Sequence, residues 1–228
     1  MPACRPAIGQ TEPVSNDREK QLAARAAAAL VHDGMTVGLG TGSTVAFLLP
    51  ALASRRLAIR CVATSDETLR RAGELGLPVE QVDTIDLLDI AIDGADQVTP
   101  DGWLIKGGGG AHTREKVVAA SASRFVVIGD STKPVDVLRP PVPVELLSFG
   151  LPATLRHLGS VTVREGWPPS PDGGVIADYH GPIDDPAGLA AWLAATPGVV
   201  GHGLFEPRLT SDVIIGHDGA VEHRMLHA

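Results

Sequence analysis

The chain has 228 residues, of which 44% are hydrophobic and 20% charged, and its formal net charge is −8. A chain of this length holds one large domain or two small ones around a core that needs no staples, and the acidic balance argues against a nucleic-acid or anionic-membrane surface. Two cysteines, Cys4 and Cys61, with no CxxC exclude a disulfide framework and a zinc knuckle and fit a reducing cytoplasm. No stretch approaches membrane-spanning length, and residues 1–16 lack the apolar run of a signal peptide and read as a loose tail.

The first helix is expected from Asn16 or Asp17 through "REKQLAARAAAALVHDG", with Gly34 as its stop. "MTVGLG" reads as a buried strand, "STVAFLLPALASRR" as a helix, "IRCVAT" as the next strand, and "SDETLRRAGELG", opened by Ser65, as the next helix. "LPVEQV" and "LLDIAID" read as strands, followed by a polar loop, the helix "TREKVVAASAS" and the strand "RFVVIGD". Short apolar strands alternating with helices indicate βαβ units, so the fold class is α/β, with a mostly parallel, Rossmann-like sheet flanked by helices.

Pro140, Pro141 and Pro143 mark a domain edge. Beyond it, "LPATLRHLG", "SVTVREG", "GGVIADYHG", "DPAGLAAWLAATPG" and "VVGHGLF" give an α-β-β-α-β order, which fits a second, smaller α+β domain of split-βαβ, ferredoxin-like type. "SDVIIGHDGAVEHRM" is a strand and hairpin able to rejoin the first sheet. The expected division is therefore a tail over 1–16, an α/β domain over 17–140 plus 207–228, and a small domain over 141–206.

Chemistry concentrates at strand ends. In "GLGTGST" the glycines Gly38, Gly40 and Gly42 miss the G-x-G-x-x-G spacing of a dinucleotide site, and no Gly-Lys-Ser/Thr follows as in a P-loop. Thr41, Gly42, Ser43 and Thr44 instead place N–H groups and hydroxyls at a helix start, which favours an anion; by itself the segment is equally compatible with a plain tight turn. "DIAIDGADQV" puts Asp93 at a strand end and Asp96 across the Gly94-Ala95 turn, where ligand groups collect in open α/β sheets, although Asp-Gly is also a common turn. In "IKGGGGAHTREK", four glycines carry a backbone-entropy cost that a close ligand approach would justify; Lys106 precedes them and Glu115 follows in the next helix. Lys133 in "GDSTKPVD" sits on another strand-end loop. Together these groups suit proton transfer on a small phosphorylated polyol. His223-x-x-x-His227 lacks a third metal ligand and reads as a frayed terminus.

"GLGTGST", "DGAD", "KGGGGAHTREK", "DSTKPVD", "PVPVE" and "PGVVGHGLF" resemble, in order and spacing, the signature blocks of the ribose-5-phosphate isomerase type A family. Gly110 stands where that pattern commonly has alanine, and "ELLSFG" where a "PFG"-like run is usual. The resemblance implies interconversion of ribose 5-phosphate and ribulose 5-phosphate through an enediolate, with no metal or cofactor, by a cytoplasmic homodimer or homotetramer. It implies Glu115 as the base, Asp93 as the group that helps open the sugar ring, and Lys106 as stabiliser of the enediolate. Thr41, Gly42, Ser43, Thr44, Asp93, Gly94, Ala95, Asp96, Lys106, Gly107, Gly108, Gly109 and Lys133 would bind substrate, with Lys20 near the phosphate. Two other readings of such a fold are a sugar-phosphate-sensing effector module, which would carry a helix-turn-helix and a basic face, and a phosphosugar deaminase or lactonase.

Overall fold

The computed structural model describes residues 16–80 and 86–226. Its main sheet has seven strands: β1 (Thr36–Leu39), β2 (Arg60–Ala63), β3 (Val79–Glu80), β4 (Ile90–Gly94), β7 (Phe125–Asp130), β13 (Asp212–His217) and β14 (Ala220–Met225). They lie in the order β14-β13-β7-β4-β1-β2-β3, all parallel except β14, which runs antiparallel to β13. Chain order runs outward in both directions from β1, through β2 on one side and β4 on the other. A crevice therefore opens between the carboxyl ends of β1 and β4, where such sheets bind ligands.

Alternation along β7 shows how the sheet is covered. Val126 and Ile128 join one apolar cluster with Val37, Leu39, Ile90 and Ile92, under helices α1 (Asn16–Ala28) and α2 (Ser43–Arg55). Phe125 and Val127 join a second cluster on the opposite face, with Val118 of α4 (His112–Ala120) and Phe205. A strand buried on both faces reads as a near-continuous apolar run; Phe125 to Ile128 supply it, and all six residues of β7, through Gly129 and Asp130, are buried. The alanines Ala23, Ala24, Ala27 and Ala28 let α1 lie close to the sheet and to α2. Helix α3 (Asp66–Glu74) starts as expected at Ser65, whose hydroxyl accepts from Thr68 N–H.

The smaller sheet joins β8 (Val142–Leu146), β9 (Val161–Val163), β10 (Val175–Tyr179) and β11 (Val199–His202) in the antiparallel order β11-β8-β10-β9, with α5 (Leu151–Leu158) and α6 (Pro186–Ala195) in the connections. That is the ferredoxin-like arrangement. Its first strand was hidden by the prolines: the piece begins β-α rather than with a helix. Pro143 is tolerated where the ladder with β11 ends, and its carbonyl accepts from Gly203 N–H.

Three further differences from the sequence reading bear on the site. Helix α1 ends at Ala28, short of Gly34. The polar loop after β4 contains a hairpin of β5 (Gln97–Val98) and β6 (Leu104–Ile105). "VVGHGLF" divides at Gly203 into β11 and β12 (Leu204–Phe205), because the chain leaves the small sheet to pair with β6 in a three-stranded sheet β12-β6-β5. The expected loose tail, but for Asn16, and His227 lie outside the described residues.

Candidate active site

Four segments converge at the crevice. The end of β1 turns through Gly40, Thr41 and Gly42 into α2, β4 ends in Asp93 and Gly94, β6 delivers Lys106 to the glycine loop, and α4 carries Glu115 in its first turn. Lys106 Nζ lies 2.9 Å from Asp93 Oδ2 and 3.2 Å from Glu115 Oε2. It also donates to the carbonyl of Gly94. All three side chains are 3–4% exposed. Lys106 is the only hydrogen-bonding or ionic partner of those two carboxylate oxygens among the described residues. Beneath the ammonium lies the ring of Phe205, its centroid 5.5 Å from Nζ.

Asp93 is further fixed by backbone. Its Oδ1 accepts from Gly94 N–H at 2.7 Å and Thr41 N–H at 3.1 Å. The approach to β1 is so close that a Cβ on Gly40 would fall 1.9 Å from the Asp93 carboxyl carbon. The turn is buttressed by hydroxyls: Thr41 Oγ1 meets Thr64 Oγ1 at 2.8 Å and donates to Ser65 Oγ at 2.9 Å, while Thr68 Oγ1 donates to Gly40 O at 2.8 Å.

The electrostatics follow from one cation facing two buried carboxylates. Burial, then repulsion from Asp93, pushes the Glu115 carboxyl up to about 8 against the pull of Lys106. Burial also raises Asp93, opposed by Lys106 and by the two backbone N–H groups. Burial works against charge on Lys106 too, but the two carboxylates outweigh it and hold the ammonium above its ordinary value. Such a cluster is equipped to move a proton at near-neutral pH.

Over this cluster lies a cleft of about 210 Å³, lined by Thr41 to Thr44, Gly94 to Asp96, Lys106 to Gly109, Glu115 and Lys133. Its rim is rich in N–H and hydroxyl groups and carries Lys133, which suits a small anionic polyol. Among the described residues no group of three or more His, Cys, Asp or Glu is placed to hold a metal ion.

A family model for ribose 5-phosphate isomerase A (phosphoriboisomerase A) matches residues 60–219. This chain belongs to that family. A ribose-5-phosphate isomerase A of Roseiflexus castenholzii is 45% identical over 219 residues, covering 89% of this chain and 94% of the relative. The structure of ribose 5-phosphate isomerase A from Methanocaldococcus jannaschii superposes with a TM-score of 0.87 at 35% identity, covering 92% of this chain and all of that one. A D-ribose-5-phosphate isomerase in complex with phospho-erythronic acid superposes with a TM-score of 0.86 at 34% identity over 90% of this chain and 97% of that one.

Of the residues that the ribose-5-phosphate isomerase signature blocks singled out, every one but Asp93 and Lys20 lines the cleft. Asp93 lies behind Lys106 and touches the ammonium instead. Lys20 pairs with Asp17 at 3.8 Å and is not among the residues that line the cleft. Asp96 is exposed at the rim and accepts from Gly108 N–H at 2.8 Å. Sequence reasoning missed the supporting residues Thr64, Thr68, Phe205 and Arg164. Phe205 sits inside the quoted block "PGVVGHGLF", which could have flagged it; nothing local to Arg164 distinguishes it from a surface arginine.

Proposed function

We propose that this chain interconverts D-ribose 5-phosphate and D-ribulose 5-phosphate through an enediolate. The observation that carries the reading is the Asp93–Lys106–Glu115 cluster at the floor of a cleft rimmed by amides, hydroxyls and Lys133. Family membership and the phospho-erythronic acid bound by a structural relative support it.

In this mechanism the Thr41–Thr44 helix start and Lys133 hold the phosphate, through orphan N–H groups, hydroxyls and charge. The Asp93–Lys106 pair serves the proton transfer that opens the sugar ring, with Asp93 acting through the ammonium it holds. Glu115 removes the C2 proton; the C–H electron pair becomes the C1–C2 double bond, and negative charge moves to the C1 oxygen. Lys106 and the glycine-loop N–H groups stabilise that oxygen. The O2 hydroxyl then gives up its proton to O1, the C1–C2 double-bond pair takes the proton back from Glu115 at C1, and O2 becomes the carbonyl, so one carboxyl serves both carbons. Asp96 orients a substrate hydroxyl. The oligomer is a homodimer or homotetramer and the compartment the cytoplasm; Leu147 and Phe149, exposed ahead of α5, supply apolar surface for such an assembly. A coupled assay with ribose 5-phosphate in chelator-treated buffer tests the reading: ribulose 5-phosphate is expected, and no product overturns it.

A further inference from the structure

The small sheet reaches into the cleft through one side chain. Arg164, at the end of β9, forms a two-pronged pair with Asp178 of β10 at 2.7 and 2.8 Å. Its remaining Nη1 donates to Gly107 O at 3.1 Å and Gly108 O at 3.2 Å. The guanidinium also stacks 4.6 Å from the centre of the Trp167 ring. In a trans peptide the carbonyl and the following N–H point in opposite directions. Holding Gly107 O therefore turns Gly108 N–H the other way, to Asp96 Oδ2. Holding Gly108 O turns Gly109 N–H away from Arg164, and Gly109 lines the cleft. That N–H has no hydrogen-bond partner among the described residues.

We propose that Arg164 is a positioning residue for the isomerisation: tied to Asp178, it clamps two glycine carbonyls from behind and so aims the Gly109 N–H at the enediolate oxygen. The proposal rests on the isomerase reading of the same cleft. Four adjacent glycines have little conformational preference of their own; inside the loop Gly110 N–H donates to Gly107 O at 3.1 Å, but among the described residues the Gly108 carbonyl is held only from outside, by Arg164. Arginine suits the task because its planar fork serves the carboxylate and the carbonyls at once, which a lysine ammonium cannot do.

The test compares Arg164→Ala, Arg164→Lys and Asp178→Asn with the full-length protein. Arg164→Ala is expected to lower kcat about 10- to 100-fold, short of the loss for a whole oxyanion donor because the loop still samples the active arrangement, with KM changed less than about threefold. Arg164→Lys should recover only part of that loss, and Asp178→Asn should fall between Arg164→Lys and wild type. Amide hydrogen exchange across residues 106–111 of the unliganded protein should quicken about tenfold in Arg164→Ala. Unchanged kcat, a rise confined to KM, or unchanged exchange in the loop overturns the proposal. If Arg164→Ala does not fold, the same readings on Arg164→Lys and Asp178→Asn decide. A wild-type protein without isomerase activity would defeat the functional reading alone, since the exchange comparison still reports whether Arg164 orders the loop.

Discussion

Glu115→Gln should cripple turnover and yet make the folded protein more stable in alkaline solution. The Glu115 carboxyl moves from 4.5 to about 8 on folding, through burial first and Asp93 second. Because the folded value lies above the unfolded one, the folded protein takes up a proton. The associated stability is fully present below pH 4.5, declines as pH rises, and is gone above about 8. Ionising the buried group then costs the native state about 5 kcal/mol, at about 1.4 kcal/mol for each tenfold step. Glutamine mimics the protonated carboxyl and escapes this loss. Its amide fits Lys106 less well, at a cost of about 1–3 kcal/mol, which leaves a net gain of about 2–4 kcal/mol above pH 8. For a chain of this length that corresponds to a melting temperature roughly 6–12 °C higher.

The groups that face Glu115 and shape this dependence are Asp93, Lys106 and Asp96. Thermal melts of both proteins from pH 5 to pH 9 read the effect. The offset should be small at pH 5 and grow towards pH 9, while turnover falls about 10²- to 10⁴-fold, as expected for loss of a general base, and substrate still binds. A variant that melts below wild type at pH 9, or an offset that is flat across the range, would refute the claim that Glu115 is a buried, reluctant carboxylate.

Lys106→Ala should lower kcat far more than it raises KM, because the ammonium is placed to stabilise the intermediate; steady-state kinetics showing only a KM effect would make it a binding residue. Gly40→Ala should cost about 1–3 kcal/mol of stability by overpacking and should also cut kcat, since the new methyl must displace the Asp93 carboxylate; a melt and an assay on the one variant check both. Glu19→Ala should raise KM more than it lowers kcat. Glu19 Oε2 accepts from Ser131 N–H at 3.0 Å and from Ser131 Oγ at 2.7 Å, anchoring the loop that presents Lys133, and initial-rate measurements separate the two constants.

The site was legible because each of its parts rests on a local signal. Parallel strands that share a direction bring their carboxyl ends to one edge, so Thr41, Asp93 and Lys133, read independently as strand-end residues, had to become neighbours. Of Gly107 to Gly110, where a backbone-entropy cost called for a ligand, the first three line the cleft, while Gly110 faces Ile176 and Trp167. Other features depend on distant partners and left no local trace. Pro140, Pro141 and Pro143 read as a break, although β8 takes in Pro143 and its ladder to β10 tolerates that proline opposite Asp178. Arg164 acts on a loop 56 and 57 residues earlier in the chain. Which groups would hold Asp93 was equally hidden: the β1–β4 pairing draws its carboxylate under Lys106 and against the Thr41 and Gly94 amides.

The balance of charges was the other feature beyond the reach of the sequence. A carboxylate in the first turn of a helix ordinarily gains from the dipole, by about 0.3–1 kcal/mol at exposed positions. Glu115 occupies such a turn and is nevertheless pushed up to about 8. A shift of that size corresponds to several kcal/mol, so burial and the neighbouring Asp93 outweigh the dipole. Lys106 cannot satisfy both carboxylates equally. Asp93 has the shorter contact and two amide donors as well, whereas the ammonium is the only partner of Glu115 Oε2 among the described residues. Of the two, Asp93 is the better held as an anion, and Glu115 is the one left poised to accept and return a proton. This division of roles arises from a single lysine and the close approach of β1 to β4, and it explains why two similar acids under one cleft perform different tasks.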